Sequence, residues 1–210
     1  MAPTLDAKEV VRAVIDEIEK NKAWLSEIDG AVGDGDHGIN MAKGFSMVKQ
    51  KLDQSGNTLG ELLRLAGMTL LANIGGAMGP IYGTLFMKMG KAVEGKAALA
   101  KEDLAGMLAS ALEGVKQRGG AKVGDKTLVD TLEPAAKGCE EALKAGAGFG
   151  DAIDRMIESA RAGMESTKDL VAKLGRSSRL GERSRGTIDA GAASCYLILK
   201  ALGESLKKQL

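Results

Sequence analysis

Asp29, Asp34 and Asp36 stand in the stretch "DGAVGDGDHG", three carboxylates within eight residues. An all-oxygen set of this density suits a hard divalent cation, Mg²⁺ above all, whose remaining positions go to water and phosphate. Gly33-Asp34-Gly35-Asp36-His37-Gly38 also fits the dinucleotide pattern G-x-G-x-x-G letter for letter. That reading fails twice. The pattern must follow a strand and open a helix within a βαβ unit, and here the preceding segment is helical. It would also aim Asp34 and Asp36 at an anionic pyrophosphate. Like unit charges about 4 Å apart repel by about 4 kcal/mol at an effective dielectric near 20. Carboxylates and phosphates can share this loop only with cations between them. Asp53 stands near the place of a ribose-binding acid, but at the end of a helical segment, and is given no role. An EF-hand fails by register. Counted from Asp34, Gly38, Ile39 and Phe45 occupy the fifth, sixth and twelfth positions, where Asp or Asn, Gly and Glu are needed. Spacing alone leaves two alternatives, a cation site and a solvated turn with aspartate caps.

Other groups could serve the same chemistry. His37, the one histidine, lies beside two carboxylates that favour its charged form. It is read as structural rather than as a general base. Gly75, Gly76 and Gly79 precede a helical segment, as a phosphate cradle would. Lys126 in "GDKT" could neutralise phosphate, although a structural role fits it better; Asp125 and Thr127 read as caps. Arg176, Arg179, Arg183 and Arg185 crowd one loop as a basic lid, with Arg176 the best placed for a diphosphate.

The elements that must position these groups are helices. "DAKEVVRAVIDEIEKNKAWL" opens with Asp6 and Glu9 in capping-box spacing, then repeats Val11, Val14, Ile15 and Ile18 at three and four. Thr58 and Glu61 form a second such box. "GINMAKGFSMVKQKL", "GPIYGTLFMKMGKAV", "KEDLAGMLASALEGVKQ", "TLVDTLEPAAKGCEEALKA", "GDAIDRMIESARAGMESTKDLVAKL" and "AGAASCYLILKALGESLKKQL" continue the period, which gives about eight helices and an all-α class. The 29 glycines gather partly in four loops around residues 28–38, 73–83, 118–127 and 175–192. Four such loops at one end of a helical protein would form a phosphate pocket.

Composition bounds the rest. The 210 residues suit one domain, 1–210, and the formal charge of +1 leaves no footprint for nucleic acid or an anionic membrane. Aromatics are only 3%, so aliphatic residues and methionines fill the core, among them Met41, Met47, Met68, Met87, Met89 and Met107. Cys139 and Cys195 read as buried free thiols. "MAPTLDAKEVVRA" has no apolar leader, and no segment reaches membrane-spanning length, so the expected address is the cytoplasm.

"GDGDHGINMAKGF", "GGAMGPIYGT", "GDKTLVD" and "GERSRGTIDAGA" together resemble the nucleotide-binding L subunit of phosphotransferase-system-dependent dihydroxyacetone kinases. The same module resembles the C-terminal domain of single-chain ATP-dependent dihydroxyacetone kinases. The four motifs stand in register essentially end to end. The resemblance implies a barrel of eight antiparallel helices with a nucleotide pocket at one end. It implies two Mg²⁺ ions on Asp29, Asp34 and Asp36, with ADP or ATP against His37, Gly38, Ile39 and Asn40. Met78, Gly79, Gly119, Leu128, Arg176, Asp189, Ala190 and Gly191 complete the implied nucleotide contacts. It further implies that ADP stays bound and is rephosphorylated in place by a phosphohistidine partner of the phosphotransferase system. The γ-phosphoryl group then passes to dihydroxyacetone, held covalently on a histidine of a separate K subunit. A second copy of the chain is a further candidate partner. Two positions depart from the family pattern: Met78 stands where a serine is usual, and Ala190 where Asp-Pro-Gly has its proline. The alternatives are a subunit of a directly ATP-dependent triose or tetrose kinase, and a nucleotide-binding regulatory protein without turnover.

Overall fold

A computed structural model describes residues 5–210. The first four residues, part of the stretch read above as lacking an apolar leader, lie outside the described residues. Among the described residues nine α-helices follow one another: α1 (Ala7–Lys20), α2 (Lys22–Gly30), α3 (His37–Leu52), α4 (Leu59–Asn73), α5 (Met78–Ala92), α6 (Lys101–Gly119), α7 (Val129–Lys144), α8 (Phe149–Ser166) and α9 (Ala190–Lys207). Two 3₁₀ segments, Thr167–Asp169 and Ser177–Ser184, stand between α8 and α9. No strand occurs among the described residues, which removes the βαβ unit that a dinucleotide fingerprint requires.

Helix boundaries follow their caps. At Thr58 the capping box forms in full: Thr58 Oγ1 accepts from the Glu61 amide at 3.3 Å, and Glu61 Oε2 accepts from the Thr58 amide at 3.0 Å. At Asp6 only half of the expected box forms. Asp6 Oδ1 accepts from the Glu9 amide, while the Asp6 amide donates to Gln209 Oε1 at 2.6 Å, tying the start of α1 to the end of the chain. The single helix expected over residues 6–25 is two. Asn21 leaves helical geometry at φ −97°, ψ 10°, and its side-chain amide caps the Glu17 carbonyl at 2.8 Å. The helix expected to run on to Leu174 ends at Ser166, because the chain tightens into a 3₁₀ turn and is then extended at Leu170.

Each helix from α3 onward packs against the next, and α9 returns to α1, which packs on α3, so that eight helices close a ring with α2 beside α3 and α9. The tightest pair is α4–α5. A Cβ at Gly90 would lie 2.6 Å from the Gly60 carbonyl oxygen, so glycine permits backbone contact there. This accounts for glycines inside helices that otherwise lose about 1 kcal/mol each to alanine. The core runs through all nine helices and includes Phe45, Phe86, Leu25, Leu62, Ile198 and Leu202. Met41, Met89 and Met107 are buried in it, and Met47 and Met87 are half-buried. Met68 is not core: it is 54% exposed, on the outer face of α4. Cys139 and Cys195 are free and buried. Among the described residues no helix is long and apolar enough to cross a membrane.

Candidate functional site

The starts of four helices meet at one cavity of about 710 Å³. His37 and Asn40 come from α3, Met78 from α5, Leu128 from just before α7, and Ala190 and Gly191 from α9. First-turn N–H groups have no acceptor within their helix and carry the positive end of its dipole. The residues preceding α3, α5 and α7 (Asp36, Ala77 and Leu128) make no side-chain capping hydrogen bond. Other side chains do reach first-turn amides: Asp189 Oδ2 accepts from the Ala192 amide of α9 at 2.8 Å, Thr127 Oγ1 from the Val129 amide of α7 at 3.2 Å, and Asp29 Oδ2 from the His37 amide of α3 at 3.2 Å. The starts of α3 and α5, whose preceding residues give no side-chain cap, converge on one space with the geometry that suits a phosphate-bearing anion.

The acidic loop links α2 to α3. The Gly33 amide folds back onto the Asp29 carbonyl at 2.6 Å, and Gly35 takes φ 73°, a left-handed turn that brings Asp36 back toward Asp29. One oxygen from each of Asp29, Asp34 and Asp36 lies within 4.8 Å of the others. The spacing therefore gathers a real cluster rather than a turn with scattered caps. The Arg176 guanidinium is drawn onto it, paired with Asp34 and 3.6 Å from Asp36. A cluster of three carboxylates that attracts the nearest cation, with oxygen donors only, fits a hard divalent ion. Asp29, Asp34 and Asp36 would hold it.

His37 differs from the expectation of a charged group. The side chain is 8% exposed, and burial holds its pKa down at about 4 although Asp29 pulls the other way. Desolvation outweighs the neighbouring charge, and the ring is neutral at pH 7. Its Nε2 meets Ser194 Oγ at 2.8 Å, and its backbone amide donates to Asp29 Oδ2 at 3.2 Å. Asp189 is perturbed in the opposite sense: burial pushes its carboxyl up to about 6, against the Ala192 amide and the charge of Lys126.

Most of the other residues anticipated from sequence reach the same space. Asp29, Asp34, Asp36, Gly119, Arg176 and Asp189 line the cavity with the helix starts named above. Gly38, Ile39 and Gly79 do not line it. Gly38 instead packs on α2, where a Cβ would stand 2.1 Å from the Lys22 carbonyl oxygen. Ile39 is 52% exposed. The second glycine loop divides its labour: Gly75 and Gly76 border the open cavity, while Gly79 lets α5 start against the Ile74 carbonyl, 2.0 Å from where a Cβ would lie. Lys126 is structural. It is buried, and its Nζ donates to the carbonyls of Thr187 at 2.5 Å, Thr167 at 2.7 Å and Leu170 at 3.3 Å. It thereby fixes both ends of the segment that carries the arginines. Of these, Arg176 and Arg179 face the cavity, whereas Arg185 bonds the Asp169 carbonyl and Glu182.

Sequence reasoning missed Tyr82 and Ser194, which join beneath the cavity with Tyr82 OH 2.5 Å from Ser194 Oγ. Tyr82 lies four residues after Met78 and Ser194 four after Ala190, so helical spacing from known cavity residues is the signal that could have found them. It also missed the apolar wall of Ile81, Val115, Ala121 and Leu174.

Fold and site together define an all-helical protein with a cavity at helix starts lined by three clustered carboxylates. The chain belongs to the DAK2 domain family, whose model matches residues 31–204. It is 40% identical over 188 residues to the ADP-binding subunit DhaL of PEP-dependent dihydroxyacetone kinase 1 from Listeria innocua, covering 89% of both chains. It is 36% identical to the corresponding Escherichia coli subunit, covering 88% of this chain and 89% of that one. L-erythrulose 1-kinase of Mycolicibacterium smegmatis is 33% identical over 90% of this chain, which matches 33% of that protein. Among solved structures, the dihydroxyacetone kinase of C. freundii superposes with a TM-score of 0.71 at 26% identity over 98% of this chain. The chain spans about a third of that kinase, which has also been solved with AMP-PNP and Mg²⁺.

Proposed function

We propose that this chain is a single nucleotide-binding domain, the ADP/ATP-carrying subunit of a cytoplasmic multi-subunit kinase. Its phosphoryl group would go to dihydroxyacetone or a similar small ketose presented by a K-type partner. The observation that carries the reading is the meeting of the helix starts of α3 and α5 with three clustered carboxylates in one cavity. Amides without acceptors attract phosphate, carboxylates repel it, and a bound divalent cation reconciles the two. The relatives support it, since proteins named as ADP-binding subunits match about nine-tenths of this chain and of their own length.

In this reading Asp29, Asp34 and Asp36 hold two Mg²⁺ ions, which neutralise charge on the phosphate oxygens. The amides at the starts of α3 and α5 hold the phosphates, and Ile81, Val115 and Leu174 receive the flat base. Gly38, Ile39 and Gly79 contribute backbone rather than side chains. Arg176 moves from the carboxylates to the phosphates as cations arrive. Phosphoryl transfer needs positioning and charge stabilisation more than covalent help, and no side chain here is asked to act as general base. Likeness to an erythrulose kinase supports a second reading, direct use of free ATP for a tetrose.

The test combines purified protein with a K-type partner and offers either ATP or a phosphohistidine donor. Turnover with the partner and donor, and none by the chain alone, is the expected result. Turnover with free ATP only favours the second reading. Robust activity of the isolated chain on dihydroxyacetone would overturn the division of labour.

A further inference from the structure

Residues 167–187 lie between α8 and α9 as a strap, and Leu174, Gly175, Arg176 and Arg179 of its middle border the cavity. The strap is closed at its base. The Gly186 amide donates to the Lys168 carbonyl at 2.8 Å, the Arg185 guanidinium bonds the Asp169 carbonyl, and Ser184 Oγ accepts from the Ala172 amide at 2.9 Å. The tip is held far less. Among the described residues, 174–183 make hydrogen bonds or ion pairs beyond the strap only through Arg176, which pairs with Asp34 and Asp36.

The turn before α7 grips the strap from outside. The Asp125 carbonyl accepts from the Lys173 amide at 3.1 Å, and Asp125 Oδ1 lies 3.3 Å from Lys173 Nζ. Lys126 reaches further. Its Nζ donates to Thr167 and Leu170 where the strap begins and to Thr187 where it ends. An ammonium has three hydrogens, and these three carbonyls take them. None is left for a phosphate, although the residue borders the cavity. Lys126 is 1% exposed, and among the described residues it is the one non-glycine residue at positive φ, 61°. A buried lysine and a left-handed backbone are both unfavourable and persist only where the surroundings hold them. Here Asp130 helps to do so, its carboxylate accepting from the Gly124 amide at 2.6 Å and the Thr127 amide at 2.8 Å. Both unfavourable features thus fall on the residue that gathers the two ends of the strap carrying Arg176.

We propose that Lys126 is a positioning residue for phosphate recognition: by drawing the two ends of the strap together, it sets where the Arg176 guanidinium stands. An arginine on an unclasped strap would have to be ordered when an anion binds, and that ordering would subtract from affinity. Lys126 therefore acts on phosphate through Arg176 and not by contact. The inference rests on the proposed nucleotide reading for its ligand, and on the hydrogen bonds of the strap alone for the clasp.

Lys126→Met keeps the stem and removes the ammonium. Lys126→Gly removes it too, but suits the left-handed backbone, and guards against a collapse of the first variant. Hydrogen exchange of the strap amides, on protein free of nucleotide and metal, tests the clasp; exchange over residues 170–187 is expected to quicken at least about tenfold. Affinities for ADP with Mg²⁺ and for adenosine test the phosphate role. The preference for ADP over adenosine is expected to fall about tenfold or more in Lys126→Met and in Arg176→Met, the scale of one charge-assisted hydrogen bond. The double variant is expected to be no worse than Arg176→Met alone, because residues that act as one unit are not additive. Unchanged exchange in the folded Lys126 variants overturns the proposal. So does an ADP preference that survives in them, or losses that multiply in the double variant, since either leaves Lys126 structural only. Failure of both Lys126 variants to fold overturns it as well. A wild type that binds no nucleotide overturns the functional reading and the phosphate role with it, while the exchange rates still decide the clasp.

Discussion

In the proposed function, Asp34 is the residue on which the chemistry turns. It sits on a glycine loop, half-exposed, with its carboxylate in the cluster and paired to Arg176. Asp34→Asn is nearly isosteric and should leave the fold intact, but it replaces a formal charge with a weak dipole in the cluster that would hold the proposed cation. Charge stabilisation of this kind commonly amounts to several kcal/mol, and about 1.4 kcal/mol is tenfold in rate. Phosphoryl transfer measured with the partner chain present should fall at least about a hundredfold, with circular dichroism unchanged. Asp53→Asn is the control. Asp53 ends α3 and pairs with Arg12 on the exposed surface, away from the cavity, so its rate should stay near wild type. A damaged Asp53→Asn beside a working Asp34→Asn would revive the dinucleotide reading. The clustering of the three aspartates was legible because they fall within eight residues, at the end of α2 and in the turn that follows. The charge state of His37 was not, because it depends on burial by elements distant in the chain, which no local pattern records.

At the scale of the element, the α2–loop–α3 unit depends on a close approach. A Cβ on Gly38 would lie 2.1 Å from the Lys22 carbonyl oxygen and 2.8 Å from the Ser26 amide nitrogen, both backbone atoms of α2. Neither can yield without moving the helix. Gly38→Ala should therefore tilt the start of α3 away from α2 and part Asp36 from Asp29. We expect a lower melting temperature and a Mg²⁺ affinity weakened at least about tenfold, read by calorimetry. Gly106→Ala tests the opposite case. Gly106 lies inside α6 with no atom within 4 Å of its would-be Cβ, so alanine should stabilise by up to about 1 kcal/mol. Equal behaviour of the two would remove the steric argument. The helices themselves were readable from the three-four period and from the capping box at Thr58. The break at Asn21 was hidden because apolar residues continue in phase on both sides of it. The 3₁₀ turns around residues 177–184 were hidden because a charged, serine-rich stretch shows no period.

For the whole molecule, the two perturbed groups under the cavity set opposing dependences on pH. His37 has its folded pKa held at about 4, below its ordinary 6.5. As pH falls through 6.5 the unfolded chain takes up that proton first, so His37 withdraws stability between about 6.5 and 4. Asp189 has its folded pKa raised to about 6 from 3.8. As pH falls through 6 the folded chain takes up that proton first, so Asp189 adds stability between about 6 and 4. Each shift exceeds two units, which is roughly 3 kcal/mol by linkage, and over most of the range the two oppose each other. Single variants should separate them. Between pH 6.5 and 4, with chelator present, Asp189→Asn should lose roughly 3 kcal/mol more stability than wild type, while its amide oxygen still caps α9. His37→Gln should lose roughly 3 kcal/mol less. Denaturant titrations at several pH values measure both differences, and the other carboxylates cancel in each comparison. Differences that stay constant with pH would mean that neither group is held in the buried, neutral state that the packing of α3, α5 and α9 imposes.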